Sequence, residues 1–469
     1  MNKHQGLICS IICVLLCLFW TCTPYKNKID LSIHIDGSVK LQKIDGFGVN
    51  ANTASWGSTG LIRAMDLLID TLNATIWRVV VETEKDWEVT NDNNNPFKFN
   101  WDFYNKIYAS SKFQKVWEQI AYLNEKGVTD KLIISVMGGI PEWMGHSVIN
   151  PKIEDEFVEM HVSFLFYAVN TKHLKIGLYS PINETDLTNA QIEGPHSDPQ
   201  QFVRISRKLI DRLNDLGLSK IKLVSPDVAS MQVGINQYMP ELIKDTVAMS
   251  KVKYFGFHSY GGYYAPIDSF IKNSNYAHIP FWITEFNAWR DGLDHGETGL
   301  YNYQYASECV IHLVDLLKHG AAACIVWEGY DSPYEHHGAM SYWGILGLDE
   351  KSNTYYTRKH FYALAQVFKF VPEGSRQIGV NYNQSNLTVL AFNDSVSGRL
   401  SITGINTNST KLNVKFNLVN LPEINKMELY YTDSVKNLFK AQNLKINEQT
   451  LEVAIPANCI FTLTGNTEN

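Results

Sequence analysis

Between residues 43 and 370, short apolar runs alternate with longer stretches whose apolar positions recur every three or four residues. Eight runs read as strands: 43–50, 75–82, 131–138, 175–184, 220–228, 253–260, 279–287 and 322–330. Several are continuous, such as Leu132-Ile133-Ile134-Ser135-Val136. That pattern is expected of parallel strands buried on both faces. The stretches between them carry helical spacing, as in 200–216, with Phe202, Ile205, Leu209, Ile210 and Leu213, and in 303–319. Eight strands alternating with helices predict an α/β protein built on a closed (β/α)8 TIM barrel over residues 43–370. An open doubly wound sheet would need a glycine-rich phosphate loop after its first strand, and Gly46-Phe47-Gly48 does not complete one.

After residue 371 the period changes to two. Segments 387–392, 399–405, 411–416, 426–431 and 450–454 alternate apolar and polar residues and are separated by Asn, Ser and Gly. This predicts an all-β sandwich. Residues 30–41 alternate in the same way ahead of the first barrel strand. An unpaired apolar strand is an aggregation hazard, so the segment is expected to join the C-terminal sheet. The side domain would then comprise residues 29–42 and 371–466.

Residues 1–22 read as an export signal. Lys3 and His4 precede an apolar run from Leu7 to Trp20, too short for a membrane span. Cys22 follows and then a polar stretch, the pattern of a lipoprotein signal with Cys22 as the lipidated residue, although Phe19-Trp20-Thr21 is bulkier than such signals usually are. The expected location is the cell envelope or the exterior of a bacterium, with membrane contact only through lipid on Cys22. Beyond it lie Cys309, Cys324 and Cys459, which form neither a disulfide framework nor a zinc pattern. The chain has 469 residues and a formal net charge of -7, which gives no electrostatic footprint for nucleic acid. The 11 Trp residues read either as core volume or as flat apolar faces on which a ligand such as a sugar stacks.

In a barrel, active residues lie at the C-terminal ends of the strands. Here those ends are polar: Asn183-Glu184, Glu285-Phe286-Asn287, His258-Ser259-Tyr260 and Trp327-Glu328. Strand two delivers Arg78 and Glu82, and strand one Asn50 and Asn52. Glycoside cleavage needs two carboxyl groups flanking one bond, one protonated to assist the leaving oxygen and one ionised. Glu184 and Glu285, at the ends of strands four and seven, face each other across the mouth. Asn183 is placed to donate to the sugar hydroxyl beside the reacting carbon. Competing carboxylates are Glu193 and the pair Glu328 and Asp331. The pair His336-His337 invites a metal, but adjacent histidines diverge and no third ligand follows at metal spacing, so neither metal nor cofactor is expected.

The two strand-end glutamates resemble glycoside hydrolase clan A. The opening Ile44-Asp45-Gly46-Phe47-Gly48, with Tyr362-Ala363-Leu364 through Phe370 and residues 372–378 at the barrel exit, resembles family 30 of that clan. The chain departs from the family pattern at Thr185, where Pro is usual, and at Val49-Asn50-Ala51-Asn52. The resemblance implies a barrel with a side β-domain built from both chain ends and a retaining mechanism, with Glu184 as acid/base and Glu285 as nucleophile. It also implies that Arg78 and Tyr260 hydrogen-bond Glu285, which would hold it ionised at a lowered pKa. His258 is placed to bind substrate or orient Glu184. Trp327 is placed as a platform beneath the sugar, with Trp56, Trp143, Trp289, Tyr330 and Trp343 as further stacking residues. The function so indicated is hydrolysis of a β-linked oligo- or polysaccharide. A non-catalytic carbohydrate-binding surface protein on the same barrel, or a transglycosylase, stands as the alternative.

Overall fold

The computed structural model describes residues 28–82, 86–188, 193–260, 267–334 and 337–467. The export segment 1–22, with Cys22, and His336 lie outside the described residues. Strand β1 (Leu31–Lys43) precedes eight parallel strands that close into a barrel: β2 (Gly46–Asn52), β3 (Ile76–Glu82), β4 (Leu132–Met137), β5 (Leu178–Ser180), β6 (Lys222–Val228), β7 (Val252–His258), β8 (Phe281–Phe286) and β9 (Ala323–Val326). The eight apolar runs are therefore the eight barrel strands. Helices follow the expected spacing: Pro199–Asp215, capped by Asp198, whose side chain accepts from the Gln201 backbone, and Tyr303–Lys318, capped by Asn302.

Side chains alternate across each strand. Trp77, Val79 and Val81 of β3 pack outward against the helices. Ile76 joins Ile133, Leu178, Val224, Trp282 and Ile325 in a separate cluster that plugs the lower end of the barrel. There the Tyr254 and Trp282 rings stack at 3.6 Å between centroids. The same alternation turns Arg78 into the barrel one layer above the plug. Gly48 shows how tightly β2 and β3 meet, since a Cβ there would lie 2.1 Å from the Ile76 carbonyl oxygen. Asp45, in the same motif, accepts a hydrogen bond from the Trp282 indole at 2.9 Å. The motif that carries the family resemblance thus closes the base of the barrel.

Two bulges adjust the strands near the mouth. On β8, Ile283 and Phe286 both face outward and span three residues where β9 spends two, Cys324 and Val326. Thr284 and Glu285 fill the extra space. On β6, Pro226 and Val228 bracket Asp227 opposite the adjacent residues Gly256 and Phe257 of β7. Asp227 takes a left-handed φ of 60°. An extra residue in a strand re-aims the side chains beside it.

Above the mouth, β10 (Ser332–Tyr334) pairs with β11 (Ala339–Ser341), and β12 (Leu346–Asp349) with β13 (Thr354–Thr357). The side domain is one nine-stranded sheet of β1, β14 (Arg376–Asn381), β15 (Leu387–Asp394), β16 (Arg399–Asn406), β17 (Leu412–Val419), β18 (Lys426–Thr432), β19 (Phe439–Lys445), β20 (Thr450–Ile455) and β21 (Cys459–Asn466). The sheet curls until its edge strands β19 and β20 meet, enclosing a single apolar core. Strand β1 lies inside it, antiparallel to β14 and parallel to β17. Cys309, Cys324 and Cys459 are free and buried, and burial pushes the Cys309 thiol up to about 12. Among the described residues no helix is long and apolar enough to cross a membrane.

Ile35 of β1 is fully buried in the sandwich core, whereas His34 faces solvent. Ile35→Ala should cost about 2–5 kcal/mol, by loss of burial plus the cavity left behind. His34→Ala should stay within about 0.5 kcal/mol. Urea unfolding of the two variants checks both values.

Candidate active site

The site is built around a guanidinium with no solvent exposure. Arg78 Nη1 donates to Asn50 Oδ1 at 2.9 Å and to Glu285 Oε1 at 2.6 Å. Its Nη2 donates to Asn183 Oδ1 at 2.7 Å and to Asp227 Oδ2 at 3.0 Å. Asn50 is held in turn by the backbone carbonyls of Thr284 and Val326. Asp227 also accepts from the Ser180 and Thr284 hydroxyls, each at 2.5 Å. One cation thus ties together β2, β3, the end of β5, β6 and β8.

Glu184 stands just beyond β5 at a left-handed φ of 47°, nearly buried. His258 Nδ1 lies 2.6 Å from Glu184 Oε1 and 3.5 Å from Glu285 Oε2. The Tyr260 hydroxyl donates to Glu285 Oε2 at 3.2 Å. One oxygen of each glutamate and a His258 nitrogen all lie within 4.8 Å of one another. The same three side chains have the donor types to hold a metal ion, and the cations already beside the two carboxyls are His258 and Arg78.

Burial dominates the electrostatics. It pushes Glu184 up to about 8, against the lowering effect of His258 and with further upward pressure from Glu193 and Glu285. It also raises Glu285, opposed by both His258 and Arg78. The expectation that Arg78 and Tyr260 would hold the Glu285 pKa below its ordinary value is therefore corrected: the two cations reduce the rise without reversing it, because the carboxyl is almost wholly removed from water. Burial alone would also raise Asp227, but the Arg78 guanidinium, with His258 and Ser180, holds it well below the usual carboxylate range. Burial opposes the charge on His258, yet Glu285, Glu184 and Asp227 hold its pKa up at about 10.

The cavity above these carboxyls is lined by Glu184, Glu193, Tyr260, Glu285, Trp289, Asp294, Trp327, Tyr334 and Trp343. Trp289 is 54 % exposed and packs against Tyr260 and Trp343, each at 5.6 Å between ring centroids. Trp343 is fixed by a bond from its indole to Asp294. Trp327 is nearly buried and lies against Tyr334.

Trp56 and Trp143 do not line this cavity. The Trp56 indole donates to Glu118 and that of Trp143 to the Glu88 carbonyl, and both rings pack on the main core. Tyr330 is fully buried, its hydroxyl bonded to the Asn52 carbonyl. The rival pair divides the same way. Asp331 is clasped by both terminal nitrogens of Arg358, and Glu328 is enclosed with Ser341 and Ser332. Glu193 does line the cavity, 3.3 Å from His337. Asn183 has no exposed surface.

Asp227 is the member that sequence reading missed. Its signal was slight: a single acid after Ser225-Pro226 at the end of an otherwise apolar strand. Asp294 comes from a short helical turn and Tyr334 from the short hairpin strand β10, and no local pattern sets the direction of either.

Residues 176–317, which include both glutamates, match the family model described as "Glycosyl hydrolase catalytic core". No curated protein sequence matches the chain. Among solved structures, a glycoside hydrolase family 30 subfamily 8 xylanase from Clostridium acetobutylicum superposes with a TM-score of 0.69 at 18 % identity, over 93 % of this chain and 100 % of that one. SrfJ from Salmonella typhimurium gives 0.71 at 12 % identity over 94 % of each chain. An endo-β-1,6-glucanase gives 0.68 at 14 % identity over 93 % of this chain and 94 % of that one. The architecture is that of the glycoside hydrolase family 30 structures, and Glu184 and Glu285 lie in the segment that resembles a glycosyl hydrolase catalytic core.

Proposed function

We propose that the protein is a retaining β-glycoside hydrolase that cleaves a β-linked glycan through a covalent glycosyl-enzyme. The observation that carries this reading is the approach of one Glu184 oxygen to within 4.8 Å of one on Glu285. Retaining enzymes hold their two carboxyl groups about 5–5.5 Å apart, whereas inverting enzymes need about 6.5–9.5 Å to admit a water.

The partners of the two carboxyls divide the roles. Glu285 meets two cations, Arg78 and His258, so it is the carboxyl better kept ionised for attack. Glu184 meets only His258 and, with a pKa of about 8, carries the proton near neutrality. In the first step Glu285 bonds to the anomeric carbon while the bond to the leaving oxygen breaks and that oxygen takes the Glu184 proton. In the second, Glu184 takes a proton from water as the water attacks the anomeric carbon, and Glu285 departs. His258 orients Glu184. The Tyr260 hydroxyl, kept protonated by burial and by the nearby Glu285, remains a donor to the nucleophile. The Asn183 amide donates to the Glu193 backbone carbonyl at 3.0 Å, so this buried side chain ties Arg78 to the loop that carries Glu193 rather than meeting the sugar directly. Trp327, Trp289 and Trp343 supply apolar faces for the ring.

The superposed structures include a family 30 xylanase and an endo-β-1,6-glucanase, so xylans and β-1,6-glucans are the first substrates to test. The segment 1–22 supports export, with retention through lipid on Cys22.

Glu184→Ala should lose about 10²–10⁴-fold on natural glycans, the usual worth of general acid catalysis. On a dinitrophenyl glycoside, whose leaving group needs no proton, the first step should survive and the glycosyl-enzyme should accumulate. Azide should then release a β-glycosyl azide. Glu285→Gln should stall with every substrate, and azide on Glu285→Ala should give the α-azide. Equal impairment of Glu184→Ala on both substrate types, with no azide rescue, would point to Glu193 instead.

The pH profile follows from Glu184. The acid must be protonated, so kcat/KM should fall as pH rises through about 8. With Glu184→Ala and the dinitrophenyl glycoside that alkaline limb should disappear. A limb that persists in the variant would assign it to another group.

A further inference from the structure

Away from the catalytic carboxyls lies a second acidic cluster. Glu88 and Asp92 come from the loop that follows β3, and Glu156 and Glu159 from the helix Glu154–Phe166. One carboxylate oxygen from each of Glu88, Asp92 and Glu156 lies within 4.8 Å of the others. Glu159 has no exposed surface, and its carboxyl meets that of Glu156, with no amide, hydroxyl or backbone donor reaching either oxygen. Glu88 is as deeply buried. Its Oε2 accepts from the Tyr104 hydroxyl at 3.0 Å, while its Oε1 is unpartnered. Asp92, 9 % exposed, receives the Asn100 backbone N–H and the Asn93 amide on Oδ2, and its Oδ1 is likewise unpartnered.

Buried polar atoms are nearly always partnered, and an unpaired buried charge is costly. Here the donors that reach the cluster, Tyr104, Asn100 and Asn93, leave Glu88 Oε1, Asp92 Oδ1 and Glu156 Oε2 unmatched. Burial and mutual repulsion with Asp92 and Glu156 push Glu159 up to about 9, and burial raises Glu88 as well. Arg212 lowers the Glu159 pKa by its charge, and its guanidinium lies over the Phe97 and Phe99 rings.

We propose that Glu88, Asp92, Glu156 and Glu159 bind a calcium-type divalent cation. The donor set is all oxygen, with no thiolate or imidazole, which selects a hard ion. Loop and helix supply two ligands each, so the ion pins the β3 loop to the flank of the barrel. The Trp143 indole N–H, 2.9 Å from the Glu88 carbonyl oxygen, couples the loop after β4 to the same point. A cation at this position stiffens two of the loops at the rim of the mouth without touching substrate.

The test uses the full-length protein after chelator treatment. Calcium should raise the unfolding temperature by at least about 2 °C. Terbium, excited through Trp143 and the adjacent Trp87, should give sensitised emission that calcium displaces. Glu159→Gln and Glu88→Gln should each weaken terbium binding by about tenfold or more and abolish the calcium-dependent rise, since each loses one charged ligand. Without added cation both variants should be at least as stable as the native protein, because like-charge repulsion is relieved. Should one variant fail to fold, Glu156→Gln, whose side chain is partly exposed, serves in its place. No calcium response and no terbium emission from the native protein would overturn the site. Responses unchanged in the variants would overturn it equally, placing any bound ion elsewhere.

Discussion

The buried Arg78 guanidinium is the constraint on which the rest of the site depends. A charge with no access to water is tolerable only when its donors are matched by acceptors, and preferably by negative ones. The two terminal nitrogens of Arg78 meet that demand with two carboxylates and two amide oxygens drawn from different strands. Satisfying the charge therefore fixes the positions of Glu285, Asn183 and Asp227 together. Removing any one partner would leave the guanidinium short of compensation, so catalytic geometry and barrel integrity are tied to the same group.

The second element of the design is unequal treatment of two similar carboxyls. Both glutamates are withdrawn from water, and burial alone would favour the neutral form of each. What separates them is the company they keep. Glu285 shares Arg78 with Asp227 and lies near His258, whereas Glu184 has His258 alone as its cation. Asp227 is the pivot of this arrangement. It stays ionised beside Arg78 and also faces His258 Nε2 at 3.6 Å, stabilising the imidazolium that lies between the glutamates.

Much of this was legible in the sequence. Strands buried on both faces must be apolar along their whole length, which made all eight barrel strands visible, and the polar residues at their ends then marked Glu184, Glu285, His258 and Arg78. The rest was hidden for physical reasons. The bulges that aim Glu285 and Asp227 depend on register between strands, and no single strand encodes that. Strand β19, Phe439–Lys445, is largely exposed and polar, so it carries no alternation to read. The strands β14 and β21 were likewise not singled out. Trp56 and Trp143 sit in loops where sugar-binding aromatics would sit, but loop position does not determine where a ring points, and both turn toward the core.

The placement of β1 has a consequence for how the molecule is made. Gln42 and Gln377, whose side chains bond to one another, are 335 positions apart in the chain. At roughly 5–20 residues per second of synthesis, the partners of β1 emerge about 17–67 s after it does. Throughout that interval Ile33 and Ile35 have no core to enter, while the barrel can already be closing. Strand pairing over so long a separation is also slow in its own right, because loop closure must precede any gain from contact. The newborn chain therefore carries β1 as a loose apolar strand while most of the barrel is already available to fold, and that stage, rather than the folded protein, is where this fold is most exposed to aggregation.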